Sequence, residues 1–148
     1  MKKIIATDAN NWPALIARLA LGLTIFPHGA QKLLGWFGGY GFSGTMGFFT
    51  TQMHIPYIVA LLVILIEFFG SLFLIFGFLS RLVALGFIGI YIGAIALIHG
   101  ANGFFMNWNM VANKGEGWEY FILLFALAII VLIKGGGKAS FDAARTKK

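Results

Sequence analysis

Pro27-His28-Gly29-Ala30-Gln31-Lys32-Leu33-Leu34-Gly35-Trp36-Phe37-Gly38-Gly39 is the stretch where a long apolar run first acquires polar side chains and then dissolves into glycine and aromatics. The run reaches back to Trp12, and about 20 such residues suffice to cross the hydrocarbon core of a bilayer. Asn11 is placed to cap this helix, and Pro13 sits where a first turn tolerates the missing amide. His28, Gln31 and Lys32 stand at i, i+3 and i+4, so they project from one face and form a group. Pro27 frees the carbonyl of Leu23 and predicts a kink just below His28. The competing reading is a helix ending at the headgroups, with Lys32 snorkelling and Trp36 anchoring.

The rest of the 148 residues extends that picture outward. With 59% hydrophobic and 11% charged residues, the chain carries more apolar surface than a soluble domain of this length buries. It reads as an all-α membrane protein, a four-transmembrane-helix bundle forming a single domain over 1–148. The spans fall at about 12–34, 56–79, 82–99 and 119–133, followed by a flexible basic tail over 134–148. The first span is too long for the apolar region of a secretory signal and is read as retained. Cysteine is absent, which removes disulfide and thiol chemistry, thiolate metal sites and covalent haem attachment through paired cysteines. The net charge of +6 comes from basic residues beside apolar spans, where topology is the common cause, so nucleic acid is excluded as a partner.

Between Gly35 and Pro56 no Lys, Arg, Asp or Glu occurs. Phe42, Met46, Phe48 and Phe49, interleaved with Ser43, Thr45 and Thr50, predict a short interfacial or re-entrant helix after the first span, tolerable at membrane depth when packed on protein. The second span places Glu67 near its midpoint. Gly70, Ser71 and Gly77 lie near Glu67 on the helical wheel, so the carboxylate faces inward. Ser80-Arg81 makes a very short turn and forces spans two and three to be antiparallel neighbours. In the third span Gly86, Gly89, Gly93 and Ala96 form a small-residue stripe, with Gly89 and Gly93 as a small-xxx-small pair that predicts close helix packing.

His99-Gly100-Ala101 repeats His28-Gly29-Ala30. Two hairpins related by an axis along the membrane normal would place both histidines at similar heights. A second aromatic loop, with Asn102, Phe104, Phe105, Asn107 and Trp108, leads to Trp118 and Glu119 at the opening of the fourth span. Lys2, Lys3, Arg81, Lys134, Lys138, Arg145, Lys147 and Lys148 all fall on one side, with Lys114 opposite. Both termini are therefore expected in the cytoplasm of a bacterial-type inner membrane, with the histidines and aromatic loops outside.

Arg18-Leu19-Ala20-Leu21-Gly22, Pro27-His28-Gly29-Ala30-Gln31-Lys32, Gly35-Trp36-Phe37-Gly38-Gly39, Glu67-Phe68-Phe69-Gly70, Asn102-Gly103-Phe104-Phe105 and Gly117-Trp118-Glu119-Tyr120 together resemble the DoxX family of small four-helix membrane proteins. The resemblance implies an oxidoreductase association, since relatives form part of a thiosulfate:quinone oxidoreductase and others accompany thiol and superoxide defence proteins. This chain has no cysteine with which to handle sulfane sulfur itself.

Arg18 and Glu67 are the ionisable groups set most clearly inside apolar spans, which makes each a candidate for pairing or function. Their backbones are offset by about 9 Å along the normal, so a direct contact would need a water or a third polar residue between them. A quinone needs an apolar slot, donors for its carbonyls and a group that passes protons. His28, His99, Glu67 and Glu119 are the candidate proton-handling, catalytic groups. Arg18, Gln31, Lys32, Trp36, Asn102, Phe104 and Trp118 are the candidate ligand contacts, with Phe37 as a further wall. Axial ligation of haem by the two histidines is disfavoured by a depth difference of about 9 Å, and a His-His-Glu metal site through Glu119 is no better favoured. Two function classes stay open: a quinone-linked oxidoreductase component, or a non-catalytic scaffold that docks a partner or holds a lipid. The partners these admit are the bilayer, a redox protein and a second copy of the chain.

Overall fold

A computed structural model describes residues 6–146; Lys2, Lys3, Lys147 and Lys148 lie outside the described residues. Among the described residues every regular element is helical. Helix α1 spans Trp12–Leu34, with the Asn11 side chain accepting from the Ala14 amide at 2.8 Å, proline in the first turn, and Gly35 closing it at φ 74°. It passes through Pro27 without interruption. A short helix α2, Gly41–Gly47, runs into a π-helical turn at Phe48–Gln52. Helix α3 covers Tyr57–Phe76 and α4 covers Ser80–Asn102. Helix α5 spans Glu119–Lys134 and α6 Phe141–Thr146.

Among the described residues three helices, α1, α3 and α4, are long and apolar enough to cross a membrane. Their exteriors match that solvent: Ile16, Leu23, Ile58, Leu62, Leu82, Leu85 and Ile92 are exposed. Lipid tails are as apolar as leucine, so close packing, rather than hydrophobic burial, must hold such helices together. Alanines accordingly fill the contacts, with Ala14, Ala60, Ala84 and Ala128 fully buried. Ala17, Leu21 and Ile25 of α1 pack with Leu74 of α3, Phe87 and Tyr91 of α4, and Leu124, Ala128 and Val131 of α5. A second cluster of Met46, Phe49, Ala60 and Ile64 fixes the short helix α2 over the junction of α1 and α3.

α1 and α3 approach tightly at Gly29, where a Cβ would come within 2.6 Å of the Glu67 and Phe68 backbone. α1 therefore lies directly on the π-helical turn Ile66–Gly70 that carries Glu67. A third π-helical turn, Ile95–His99, carries His99. Helices α3 and α4 are antiparallel across the turn at 77–79, but their contact is concentrated in the half nearest that turn, while α1 packs on α3 and α5, and α4 on α5. Away from the turn, α3 and α4 part.

Two expectations from the sequence are corrected here. A Cβ on Gly89 or Gly93 would meet nothing within 4 Å, so this pair makes no close helix packing within the chain; its small side opens space instead. The segment from Lys134 to Thr146, expected as a flexible tail, is folded. Gly135, Gly136 and Gly137 are buried, Ser140, Asp142 and Ala143 are nearly inaccessible, and Asp142 accepts from the Leu79 and Ser80 amides at 2.9 Å, capping α4. The triglycine looks like a linker in sequence, but Gly135 and Gly137 have positive φ and a Cβ on Gly136 would press on Ser80 and Ser140.

Candidate functional site

Where α3 and α4 part, a cavity of about 590 Å³ opens, with α1 and α5 as its back wall. All three π-helical turns border it: Phe49 from the first, Ile66 and Glu67 from the second, and Ile98 and His99 from the third. An extra residue in a turn shifts the side chains that follow, and such bulges recur at functional sites. The walls are otherwise apolar, from Ile25, Val63, Leu97 and Leu124 among others, and Gly86, Gly89 and Gly93 form the side along α4.

The structure brings His28, Lys32, Glu67 and His99 to this one cavity. Lys32 Nζ donates to Glu67 Oε2 at 2.5 Å, with Lys32 a quarter exposed and Glu67 nearly buried. Glu67 thus faces inward, as the small residues beside it predict. A carboxylate at this depth is tolerable when a cation meets it, and the partner is Lys32 from one turn above Gly29. His28 and Lys32 share a face of α1, so helical spacing alone delivers both.

Arg18 does not pair with Glu67. Its guanidinium is turned to the opposite end of the bundle, donating to the carbonyls of Gly136 (2.7 Å), Leu74 (2.8 Å), Ile75 (2.6 Å), Lys138 (3.2 Å) and Ala139 (2.7 Å). Asp142 is the charge within its electrostatic reach. A guanidinium presents five N–H groups in a rigid fork, and here the fork fastens the last turn of α3 and the 136–139 loop to α1.

The remaining candidates lie around the rim rather than on the cavity wall. Gln31 donates to the Phe37 carbonyl, and Trp36 is mostly exposed with its ring against Phe37. Glu119 accepts from the Trp108 indole. Phe104 stacks edge-on against Trp118, and Asn102 donates to the Glu116 carbonyl at 3.0 Å. His28, His99 and Glu119 do not converge; among the described residues no three His, Asp or Glu side chains are close enough to hold a metal ion.

Three groups of the wall were not singled out from the sequence: Tyr91, Tyr120 and Glu116. Tyr91 is the one polar side chain between Arg81 and His99 in α4, and that isolation was the available signal. It is 3% exposed, stacked near Phe87 and edge-on to Phe121 and Phe125, and its hydroxyl has no partner among the described residues. A buried hydroxyl without a partner costs about 1–3 kcal/mol, so the fold carries that cost at the cavity wall. Glu116, itself exposed, arrives from the 103–118 loop, and nothing in the sequence marks it as part of the wall.

A helical integral membrane protein with an apolar-walled cavity between parted spans, bearing a few polar groups, is the class that this architecture defines. The family model of DoxX matches residues 14–100, more than half of the chain, and the chain belongs to the DoxX family. Comparison with curated proteins and with solved structures found no match.

Proposed function

We propose that this protein is the membrane subunit of an oxidoreductase system and binds a quinone or similar small redox ligand in the cavity between α3 and α4. The observation that carries the reading is one apolar-walled space with the Lys32–Glu67 pair and two histidines on its wall. Its volume lies within the range of about 300–1,000 Å³ of small-molecule sites. A quinone, when bound, would supply electron transfer coupled to proton uptake; the chain's own residues hold it between apolar walls and offer imidazole nitrogens to its oxygens.

In this reading α5 is a fourth span, shorter than the others at about 24 Å, and α2 is a re-entrant segment packed on α1 and α3. Arg81, Lys134, Lys138 and Arg145 lie at the cytoplasmic side of a bacterial-type inner membrane, and the cavity faces outward. The scaffold reading is favoured by one observation, the exposed aromatic loop with Phe105, Trp108 and Met110, which would dock a partner protein.

The test is purification in native-lipid nanodiscs, identification of any copurified ligand by mass spectrometry, and titration of decyl-ubiquinone against wild type and a His28→Ala, His99→Ala double variant. Binding weakened at least tenfold in the variant is the expected result. Absence of any ligand, with no difference between the proteins across several quinones, would transfer the assignment to partner docking.

A further inference from the structure

We infer that His99 is a fixed hydrogen-bond acceptor, and that the cavity therefore selects an apolar ligand bearing a donating ring hydroxyl, a hydroquinone or phenol, over the corresponding carbonyl form. The inference rests on the cavity proposed above as the ligand site and names which form of the ligand it reads.

The argument starts from His99 Nδ1, which lies 2.9 Å from the Glu116 carbonyl oxygen. A carbonyl can only accept, so Nδ1 carries the proton. In the neutral ring Nε2 is then a bare lone pair. The carbonyl that imposes this tautomer is itself held in place: it also accepts from Asn102 Nδ2 at 3.0 Å, and the Glu116 carboxylate accepts from the Asn107 amide at 2.7 Å. Asn107 in turn ties down its loop through the Val111 amide and the carbonyls of Val111 and Lys114. Next to Glu116, a Cβ on Gly117 would overlap the carbonyls of Gly103, Phe104 and Phe105, so the loop is closely packed at the residue that follows Glu116. The imidazole lies on Phe121, centroids 4.8 Å apart, which fixes its plane. Nε2 has no partner among the described residues, and the ring is part of the cavity wall.

The other polar groups on the wall tilt the same way. Glu67 Oε2 is taken by Lys32, while Oε1 has no hydrogen bond among the described residues, leaving a second acceptor. The donors do not reverse this: Lys32 gives one N–H to Glu67, and its other two, like the unpartnered Tyr91 hydroxyl, are met by a ligand hydroxyl as well as by a carbonyl, because a hydroxyl oxygen also accepts. His28 has no backbone carbonyl holding one of its nitrogens, so its tautomer is free and it imposes no preference. A ligand that brings its own O–H satisfies the acceptors; one that brings only carbonyls leaves them bare.

The experiment compares, in nanodiscs under anaerobic conditions, the binding of decyl-ubiquinol, decyl-ubiquinone, the dimethyl ether of the quinol, and 4-nonylphenol, which has the hydroxyl without the redox chemistry. Wild type is set against His99→Phe, which keeps the ring against Phe121, and His99→Asn, whose amide retains a donor for the Glu116 carbonyl but has no atom at the Nε2 position. Quinol and nonylphenol should bind wild type at least tenfold more tightly than quinone and ether, and both variants should erase that preference. Equal binding of all four probes to wild type, or a preference that survives in both variants, would overturn the inference and leave the quinone reading standing. His99-dependent binding of nonylphenol without binding of quinol or quinone would uphold the inference and remove the redox reading. Binding of none of the probes would remove both.

Discussion

Lys32 Nζ meets Glu67 Oε2 at 2.5 Å across the α1–α3 seam, and the seam is narrow enough for that contact because residue 29, one turn below Lys32, has no side chain. The ion pair and the glycine are two parts of one device. The glycine brings α1 onto the π-helical turn, and the ion pair neutralises the carboxylate that the turn directs into the cavity.

Gly29→Ala should destabilise the protein by about 1–3 kcal/mol, because its Cβ would meet the backbone of Glu67 and Phe68 at 2.6 Å and neither can yield as a side chain would. Gly89→Ala, also within a helix, has open space for its methyl and should stay within about 1 kcal/mol of wild type, on the stabilising side. Thermal unfolding in one detergent compares the two; equal losses would mean that the α1–α3 approach is not a tight contact.

Arg18→Gln should cost on the order of 3–5 kcal/mol, since it leaves five buried or partly buried carbonyls without their cationic donor and removes a positive charge within reach of Asp142. Coupling should appear with Asp142→Asn, at about 0.5–3 kcal/mol in a double-mutant cycle, whereas Arg18→Gln and Glu67→Gln should add to within about 0.5 kcal/mol. Strong coupling between Arg18 and Glu67 would contradict the separation of the two sites.

Lys32→Met and Glu67→Gln should each destabilise by about 1–3 kcal/mol, as either leaves a charged partner without compensation in an apolar wall. The double variant should lose less than the sum. A folding readout in lipid suffices, and an additive double variant would place the pair in water rather than in the seam.

Gly89→Leu should fold and yet bind no cavity ligand. The leucine would project from the glycine side of the wall into space where a Cβ meets nothing, so it fills volume without pressing on a neighbour. Wild-type thermal stability combined with at least tenfold weaker decyl-ubiquinone binding is expected; unchanged binding would place the ligand elsewhere.

Much of this was legible in the residues. Asn11, Pro13 and Gly35 mark both ends of α1 because caps and breakers act locally. Helical spacing alone groups His28 with Lys32, and the small residues beside Glu67 turn it inward. The partner of Arg18 was not legible: its acceptors are backbone carbonyls 56 to 121 positions away, and a carbonyl is the same in every residue type. The π-helical turns have no residue signature, so the direction of His99 and the way Glu67 reaches Lys32 could not be counted from an ideal wheel. Gly89 and Gly93 were read as a packing pair because the spacing specifies a smooth surface without saying whether a neighbour comes to it. The folded segment after Lys134 hid behind three glycines whose backbone angles, rather than their flexibility, were what the fold used.

The reach of Arg18 bears on how the molecule is made. Translation produces Arg18 more than a hundred residues before Gly136, Lys138 and Ala139 exist, so during synthesis its charge enters the membrane with three of its five acceptors still missing. An arginine opposes insertion by about 2.5–3.5 kcal/mol at the centre of a span and by less at the depth of Arg18, six residues into α1, and until the 136–139 loop arrives α1 should stay displaced toward the headgroups, with Arg18 reaching for water. The loop's arrival is then a completion signal. A chain halted before Gly136 would hold its first span in a shallow, exchange-prone position that a membrane protease can distinguish from the finished protein.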